Sequence, residues 1–450
     1  FDSVSFSTAD NGVDIDLSSD AQNVKDGDGG IDTIINIEQI EGSKHNDTIT
    51  GNDRKESGDI PGDVIEGNNG DEFLQGLIGD DLLIGGLGAD TMDGGEGNDA
   101  TSYLNSVAPV NINLDTGLVF SAGGEADGDV LIDIESSQAT IFDDNLIGND
   151  LYNQFYGSEG DDTLSGGAGN DTLSGGGVRG FSADTNLSPG EDLLSYETSP
   201  DGVKVSLKNG KAENDGYGNE DKIEKAFEQK PGEKPGDKPL VKESEYSSFE
   251  NLKGSNFNDS LLEGDIGNNK IEGLNGDDIL KGDEGNDTLI GGAGADNLDG
   301  GGGFDWADYS ESPEAIIVNL DENFGEGGHA QGDTFEKKDG ISTVENLLGS
   351  DFADSLVGDN GNNKINPGLG NGTDFVDGLD GSDRLIIDYS SDDVGTGIKG
   401  GFDLGSATSG FLSRNTNDDS RIKAAVSFQN IEEIQVIGTI KDDEIYGGAG

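Results

Sequence analysis

Two hydrophobic rhythms run through the chain. The first is strict alternation over five residues: "VDIDL" (Val13–Leu17), "VNINL" (Val110–Leu114), "VKVSL" (Val203–Leu207) and "IIVNL" (Ile316–Leu320). Period-two alternation predicts short half-buried β-strands. The second is one aliphatic residue in every nine, framed by glycine: Ile271, Leu280, Leu289 and Leu298, and in another run Leu74, Leu83 and Met92. Each sits two places after an acid or Asn, in the frame G-G-x-G-x-D-x-U-x, where U is the aliphatic residue. The three residues x-U-x are long enough for one short strand with U inward. The six before it must reverse the chain.

The frames fall into runs over 67–102, 148–174 and 264–308, with a looser run over 349–386 that Pro367 and an insertion near Gly372 disturb. Each run ends near an aromatic, Tyr103, Tyr196, Tyr309 or Tyr389, with Phe6 in the matching place at the start. An alternating strand, a polar loop and a second strand follow, as in "ISTVENLLGS" (Ile341–Ser350). The enclosing unit is roughly 80 to 115 residues and predicts five modules: 1–103, 104–196, 197–309, 310–389 and a shorter 390–450. Helical periodicity is weak throughout, with Asp221–Gln229 the one segment where it could be argued. The expected fold is all-β, an extended solenoid of stacked turns.

Charge sharpens this picture. The 450 residues carry 93 acids against 26 bases, a formal net charge of −67, with 31% hydrophobic residues. Such a chain is expected to stay disordered unless cations neutralise it. The sign excludes nucleic acid and anionic membrane surfaces as partners, and no apolar run approaches the roughly 20 residues of a membrane-spanning helix. There is no cysteine, so no disulfide supports the fold. Phe1 and Gly450 both fall inside patterns, so the stretch reads as part of something longer.

The nonamer has a chemical logic of its own. Glycine permits the positive φ of a tight turn and lets backbone carbonyls converge. The sixth-position acid adds a carboxylate. An oxygen-only, flexible ligand set suits Ca²⁺, which takes six to eight oxygens, more than one nonamer offers. Two stacked turns suffice, so the repeat predicts coils with a cation between neighbours. Gly-Asp turns can also close without metal, the carboxylate capping backbone N–H groups. Full neutralisation would need about 33 divalent ions, whereas roughly twenty frames hold about twenty at most.

These runs resemble the RTX (repeats-in-toxin), or haemolysin-type, calcium-binding family. The resemblance implies a parallel β-roll, two nonamers per coil, with multiple Ca²⁺ ions held by turn carbonyls and the sixth-position Asp. Carried onto this sequence, it points to Asp81, Asp90, Asp99, Asp162, Asp171, Asp278, Asp287, Asp296 and Asp305. Asp63, Asp192, Asp374 and Asp383 are further candidates, as are the isolated copies Asp47, Asp144, Asp259, Asp354 and Asp443. Glu72, Asn153, Asn269 and Asn363 depart from the pattern and are expected to make weaker or empty sites. The Asp and Glu residues of the connecting strands read as solvated outer-face charge.

Other motifs carry less. "DGDGGID" (Asp26–Asp32) opens like an EF-hand but has Ile37 where the twelfth-position Glu belongs. His45 and His329 are the only histidines and lie far apart in sequence, which excludes a multi-histidine zinc site. "QKPGEKPGDKPLVK" (Gln229–Lys242) is the one basic island and reads as a solvated loop. Trp306 is expected to cover a roll face. No catalytic module is visible. The favoured reading is a structural segment of a secreted or cell-surface bacterial protein, S-layer-like, adhesin or filament, exported by type I secretion, folding on calcium and meeting further copies of itself or other surface components. A calcium-dependent tail of an exported enzyme, or a carbohydrate- or protein-binding module, are the alternatives.

Overall fold

The computed structural model describes the chain except for residues 1, 19–21, 35–36, 53–60, 122–123, 125, 177–190, 228–242, 369–371, 389–398, 402, 407–408, 416–421, 438–443 and 447–450. Asp443, Tyr389 and the basic island at 229–242 therefore lie outside the described residues. The described chain is all β apart from turns and a single 3₁₀ turn at Gly328–Ala330. The described part of the segment proposed for helical periodicity, residues 221–227, is extended instead: Asp221–Ile223 and Lys225–Phe227 are strands. Strand pairing overrides its short apolar spacing: Ile223 pairs in parallel with Leu173, and Lys225 antiparallel with Ser247.

Two compact units form, residues 1–195 with 210–249, and residues 196–209 with 250–450. In the first, strands such as Pro61–Asn69, Asp80–Leu87 and Ala100–Ser102 pair in parallel in one sheet. Thr48–Thr50, Phe73–Ile78 and Thr91–Glu96 pair in parallel in another. Successive nonamers thus alternate between two sheets, and the same sheet is revisited every eighteen residues. Leu74 faces Met92 and Ile65 faces Leu83. The second unit repeats the scheme: Leu280 pairs with Leu298 in one sheet, and Ile271 with Leu289 and then Ala307 in the other. Two nonamers make one coil of a parallel β-roll.

The aliphatic positions form the core. Leu74, Leu83, Met92, Ile271, Leu280, Leu289, Leu298 and Ala307 are all fully buried. The alternating pentamers contribute in the same way, with Val110, Ile112 and Leu114 inward and Asn111 exposed. Glycine is required at the turn corners. Gly292 and Gly294 have φ of 96° and 152°, the region where an L side chain is strained.

Each connecting segment splices a hairpin into one sheet. Between residues 91–93 and 145–147 run three strands: Val130–Ile132 (parallel to 91–93), Leu118–Phe120 (antiparallel) and Asn111–Asn113 (parallel to 145–147). On the other sheet Ala100–Ser102 pairs directly with Ser136–Gln138, and that with Gln154–Ser158. The aromatic that ends the run anchors this detour. Tyr103 is buried and its hydroxyl donates to Asp129 Oδ2 at 3.0 Å. Tyr309 donates to Asp333 Oδ2 at 2.8 Å in the second unit.

Because Leu289 has no exposed surface, Leu289→Ala is expected to cost about 2–5 kcal/mol. Denaturant unfolding at saturating calcium checks this. An unchanged midpoint would place the residue outside the core.

Candidate metal sites

The sixth-position acids are buried, and a ladder accounts for half of each carboxylate. The backbone N–H of Asp278 donates to Asp296 Oδ1 at 2.9 Å, that of Asp287 to Asp305 Oδ1 at 2.7 Å, and that of Asp81 to Asp99 Oδ1 at 2.8 Å. Each bond joins residues eighteen apart on neighbouring coils. Asp192 and Asp374 hold the same place, accepting from Asp162 N–H and Asp354 N–H at 3.0 Å each.

The other oxygen divides the candidates into classes. In Asp81, Asp90, Asp99, Asp162, Asp171, Asp278, Asp287, Asp296, Asp305 and Asp383, Oδ2 is buried and has no hydrogen-bond partner. It faces the glycine that opens the frame. A Cβ built on Gly273 would lie 2.5 Å from both Asp278 Oδ2 and the Gly291 carbonyl oxygen. The glycine thus keeps open a cradle in which a carboxylate oxygen and a carbonyl oxygen of the next coil converge. Among the described residues no three acidic or histidine side chains gather at one point, so any cation here must take most of its ligands from backbone carbonyls.

Asp47, Asp144, Asp259 and Asp354 form a second class, closed by hydrogen bonds. Ser350 donates to Asp354 through its N–H (2.6 Å to Oδ2) and its hydroxyl (2.8 Å to Oδ1). Ser43 serves Asp47, Thr140 serves Asp144 and Ser255 serves Asp259 in the same way. Asp63 accepts from the N–H and the amide of Asn52. The Ser or Thr lies four residues before the Asp each time, in the "GS" or "AT" that ends the connecting strand.

The asparagine positions close themselves as well. Asn269 Oδ1 accepts the Asp265 N–H at 2.8 Å, and its amide donates to the Glu250 carbonyl at 2.9 Å. Asn363 repeats this with Asp359 and Glu345, and Asn153 with Asn149 and Glu135. Glu72 behaves otherwise. Both its oxygens are buried with no donor on them, and burial, with the Asp90 carboxylate beside it, pushes the group up to about 10.

Burial raises the carboxyls of both classes. Burial, with like-charged neighbours added, pushes Asp162, Asp171, Asp278 and Asp287 up to about 8. Asp296, Asp305 and Asp383 rise to about 6, chiefly through burial. For Asp144, Asp259 and Asp354, burial also raises the carboxyl, but bonds from Thr or Ser oppose it. A buried anion with no partner demands a cation or a proton.

Sequence reasoning missed one group of residues. Where a run ends, no nonamer lies eighteen residues on, and the connecting segment supplies the ladder acceptor. Asp90 N–H donates to Asp129 Oδ1 and Asp99 N–H to Glu135 Oε2. Asp296 pairs likewise with Asp333, Asp305 with Glu345 and Asp383 with Glu432. Asp129 and Asp333 are fully buried, and burial lifts Glu345 to about 7. Reading the strand acids as outer-face charge is thus corrected for these residues. The recurring "IE" and "VE" of the second strand was the available signal.

Two parallel sheets joined by oxygen-lined glycine turns define a metal-binding β-roll. The family model for the RTX calcium-binding nonapeptide repeat (four copies) matches residues 66–100, 147–178, 254–289, 272–307 and 339–373. These segments are RTX repeats, which bind Ca²⁺, and the chain is a calcium-binding repeat protein. None of the curated proteins matches the chain.

Two outcomes are expected. Ser350→Ala strips a donor from the buried Asp354 carboxylate and should cost about 1–3 kcal/mol even at saturating calcium, read by denaturant unfolding. The second concerns pH. Asp162, Asp171, Asp278 and Asp287 have folded values near 8 against 3.8 when unperturbed. Protonation therefore favours the metal-free fold: their contribution is complete below about pH 4 and lost as pH rises through 8. In chelator, circular dichroism should show more β structure at pH 5 than at pH 8.5. With calcium present, acid should instead weaken binding, because protons compete for the same oxygens.

Proposed function

We propose that the chain is a calcium-folded structural segment of an exported bacterial protein, ordered outside the cell by the ions it binds there. The observation that carries this reading is the set of ten buried sixth-position aspartates, each with an unpartnered oxygen aimed at a glycine cradle. Their side chains, with Glu72, are the proposed ligands; the Ser- and Thr-bonded aspartates are proposed to close their turns without metal. What calcium supplies is compensation for carboxylate charge at the coil edges. The chain itself supplies the β core, the cradle and the ladder that sets coil spacing.

Extracellular calcium modules bind at about 10⁻⁴–10⁻³ M, so such sites fill outside a cell and not in a cytosol. Metal binding and folding are then one equilibrium. RTX repeats typify exported bacterial proteins, and no helix of the described residues is long and apolar enough to cross a membrane. RTX repeat segments are structural calcium-binding modules rather than catalytic ones. The five-module pattern favours an architectural role, since a repeated run-and-spacer unit builds length. An S-layer-like, adhesive or filamentous component, in contact with further copies or other surface components, fits that pattern.

A calcium titration followed by circular dichroism tests the folding claim. The expected result is a cooperative gain of β signal near millimolar calcium, reversed by chelator; a native-like spectrum in excess chelator at pH 7.5 would refute it. Electron microscopy with and without calcium tests assembly, where sheets or fibres are expected.

A further inference from the structure

Within a run, the cradles at Gly76, Gly157, Gly273 and Gly282 are completed by the carbonyl of the glycine that opens the frame two nonamers later. The last frame of a run has no such glycine. At these ends the carbonyl comes from the connecting segment. A Cβ on Gly300 would lie 2.7 Å from Asp305 Oδ2 and closer still to the Thr343 carbonyl oxygen. At Gly94 the pair is Asp99 Oδ2 and the Asp133 carbonyl; at Gly378 it is Asp383 Oδ2 and the Asn430 carbonyl. Gly175 lies the same way against Asp192 Oδ2 and the Ser248 carbonyl, 2.5 Å from each.

The donors share one sequence position. Asp133, Thr343 and Asn430 each stand two residues before a glutamate, Glu135, Glu345 and Glu432. That glutamate accepts the N–H of the same run-end aspartate. Two adjacent groups of the connecting segment thus address one aspartate: a carboxylate takes its N–H, and a carbonyl faces its free oxygen. Asp99, Asp305 and Asp383 have no exposed surface, and their Oδ2 atoms have no partner.

We infer that three of the runs end in a junction cation site, built from a run-end aspartate (Asp99, Asp305 or Asp383) and a connecting-segment carbonyl (Asp133, Thr343 or Asn430), which takes a hard divalent cation, Ca²⁺. The inference rests on the calcium reading above and deepens it. The junction ion ties a run to the segment that follows, so cation binding at the last turn orders the spacer as well as the repeats. Entry to the three later runs is different: there Ser- or Thr-bonded aspartates and self-closing asparagines hold the turns.

The test uses the full 450-residue chain and Asp305→Asn, which keeps an Oδ1 acceptor for the Asp287 N–H but removes the charge. Asp383→Asn repeats the design in another run, and Asp354→Asn alters an entry turn. Calcium stoichiometry is measured by native mass spectrometry and spacer order by hydrogen exchange. The expected result is one calcium lost in each junction variant and none in Asp354→Asn. Exchange should rise at Thr343–Leu348 in Asp305→Asn and at Asn430–Ile434 in Asp383→Asn. Terbium gives a second readout, because Trp306 is the only tryptophan and adjoins Asp305. Trp-sensitised terbium emission should fall severalfold in Asp305→Asn and survive in Asp383→Asn. Unchanged stoichiometry, or unchanged spacer exchange, in both junction variants would overturn the inference. A wild-type chain that binds no calcium would instead overturn the calcium reading itself.

Discussion

A half-satisfied carboxylate governs this fold. Ten repeats bury an aspartate with one oxygen bonded to the backbone of the neighbouring coil and the other without a donor, facing a carbonyl at Asp278 and Asp287. Carbonyl oxygens cannot donate, so the arrangement is repulsive by itself. Burying an unpaired anion costs several kcal/mol, and ten such costs exceed the marginal net stability of an ordinary domain. Only a proton or a cation removes the repulsion. Proton uptake acts one group at a time, whereas a divalent ion satisfies two coils together, which makes calcium both the counter-charge and the cross-link.

The apolar core explains why the carboxylates are held so firmly. One aliphatic side chain per nonamer is a thin core, but parallel stacking places Leu280 on Leu298 and Ile271 on Leu289 without gaps in register. Parallel strands require an identical rise at each step, and the ladder bond from one sixth-position N–H to the next carboxylate enforces it. Where a spacer interrupts the nonamers, Glu135 or Glu345 takes over that bond, so the register survives the interruption.

Much of this was legible in the sequence, and the limits have a physical cause. The nonamer spacing showed the strand, the turn, the inward aliphatic and the acid, because all lie within nine residues of one another. The classes of aspartate were not legible from the frame alone. Asp354 and Asp287 occupy the same position, and what separates them is a serine hydroxyl four residues earlier. That serine was visible in the repeated "GS" yet had no evident role until its distance to the carboxylate was known. The spacer acids were harder still. Asp129 reaches the backbone of Asp90 thirty-nine residues away, across a hairpin whose pairing could not be counted from spacing.

The alternation of nonamers between two sheets has a further consequence, which is one of parity. An even number of nonamers between two spacers returns the chain to the sheet from which it started; an odd number delivers it to the other. Adding or deleting a single nonamer would leave every turn chemically intact, yet would transfer the following hairpin, with its tyrosine anchor and ladder acid, to the opposite face. Runs can therefore change length freely only in steps of eighteen residues, and a single nine-residue change acts as a switch of face rather than as a change of length.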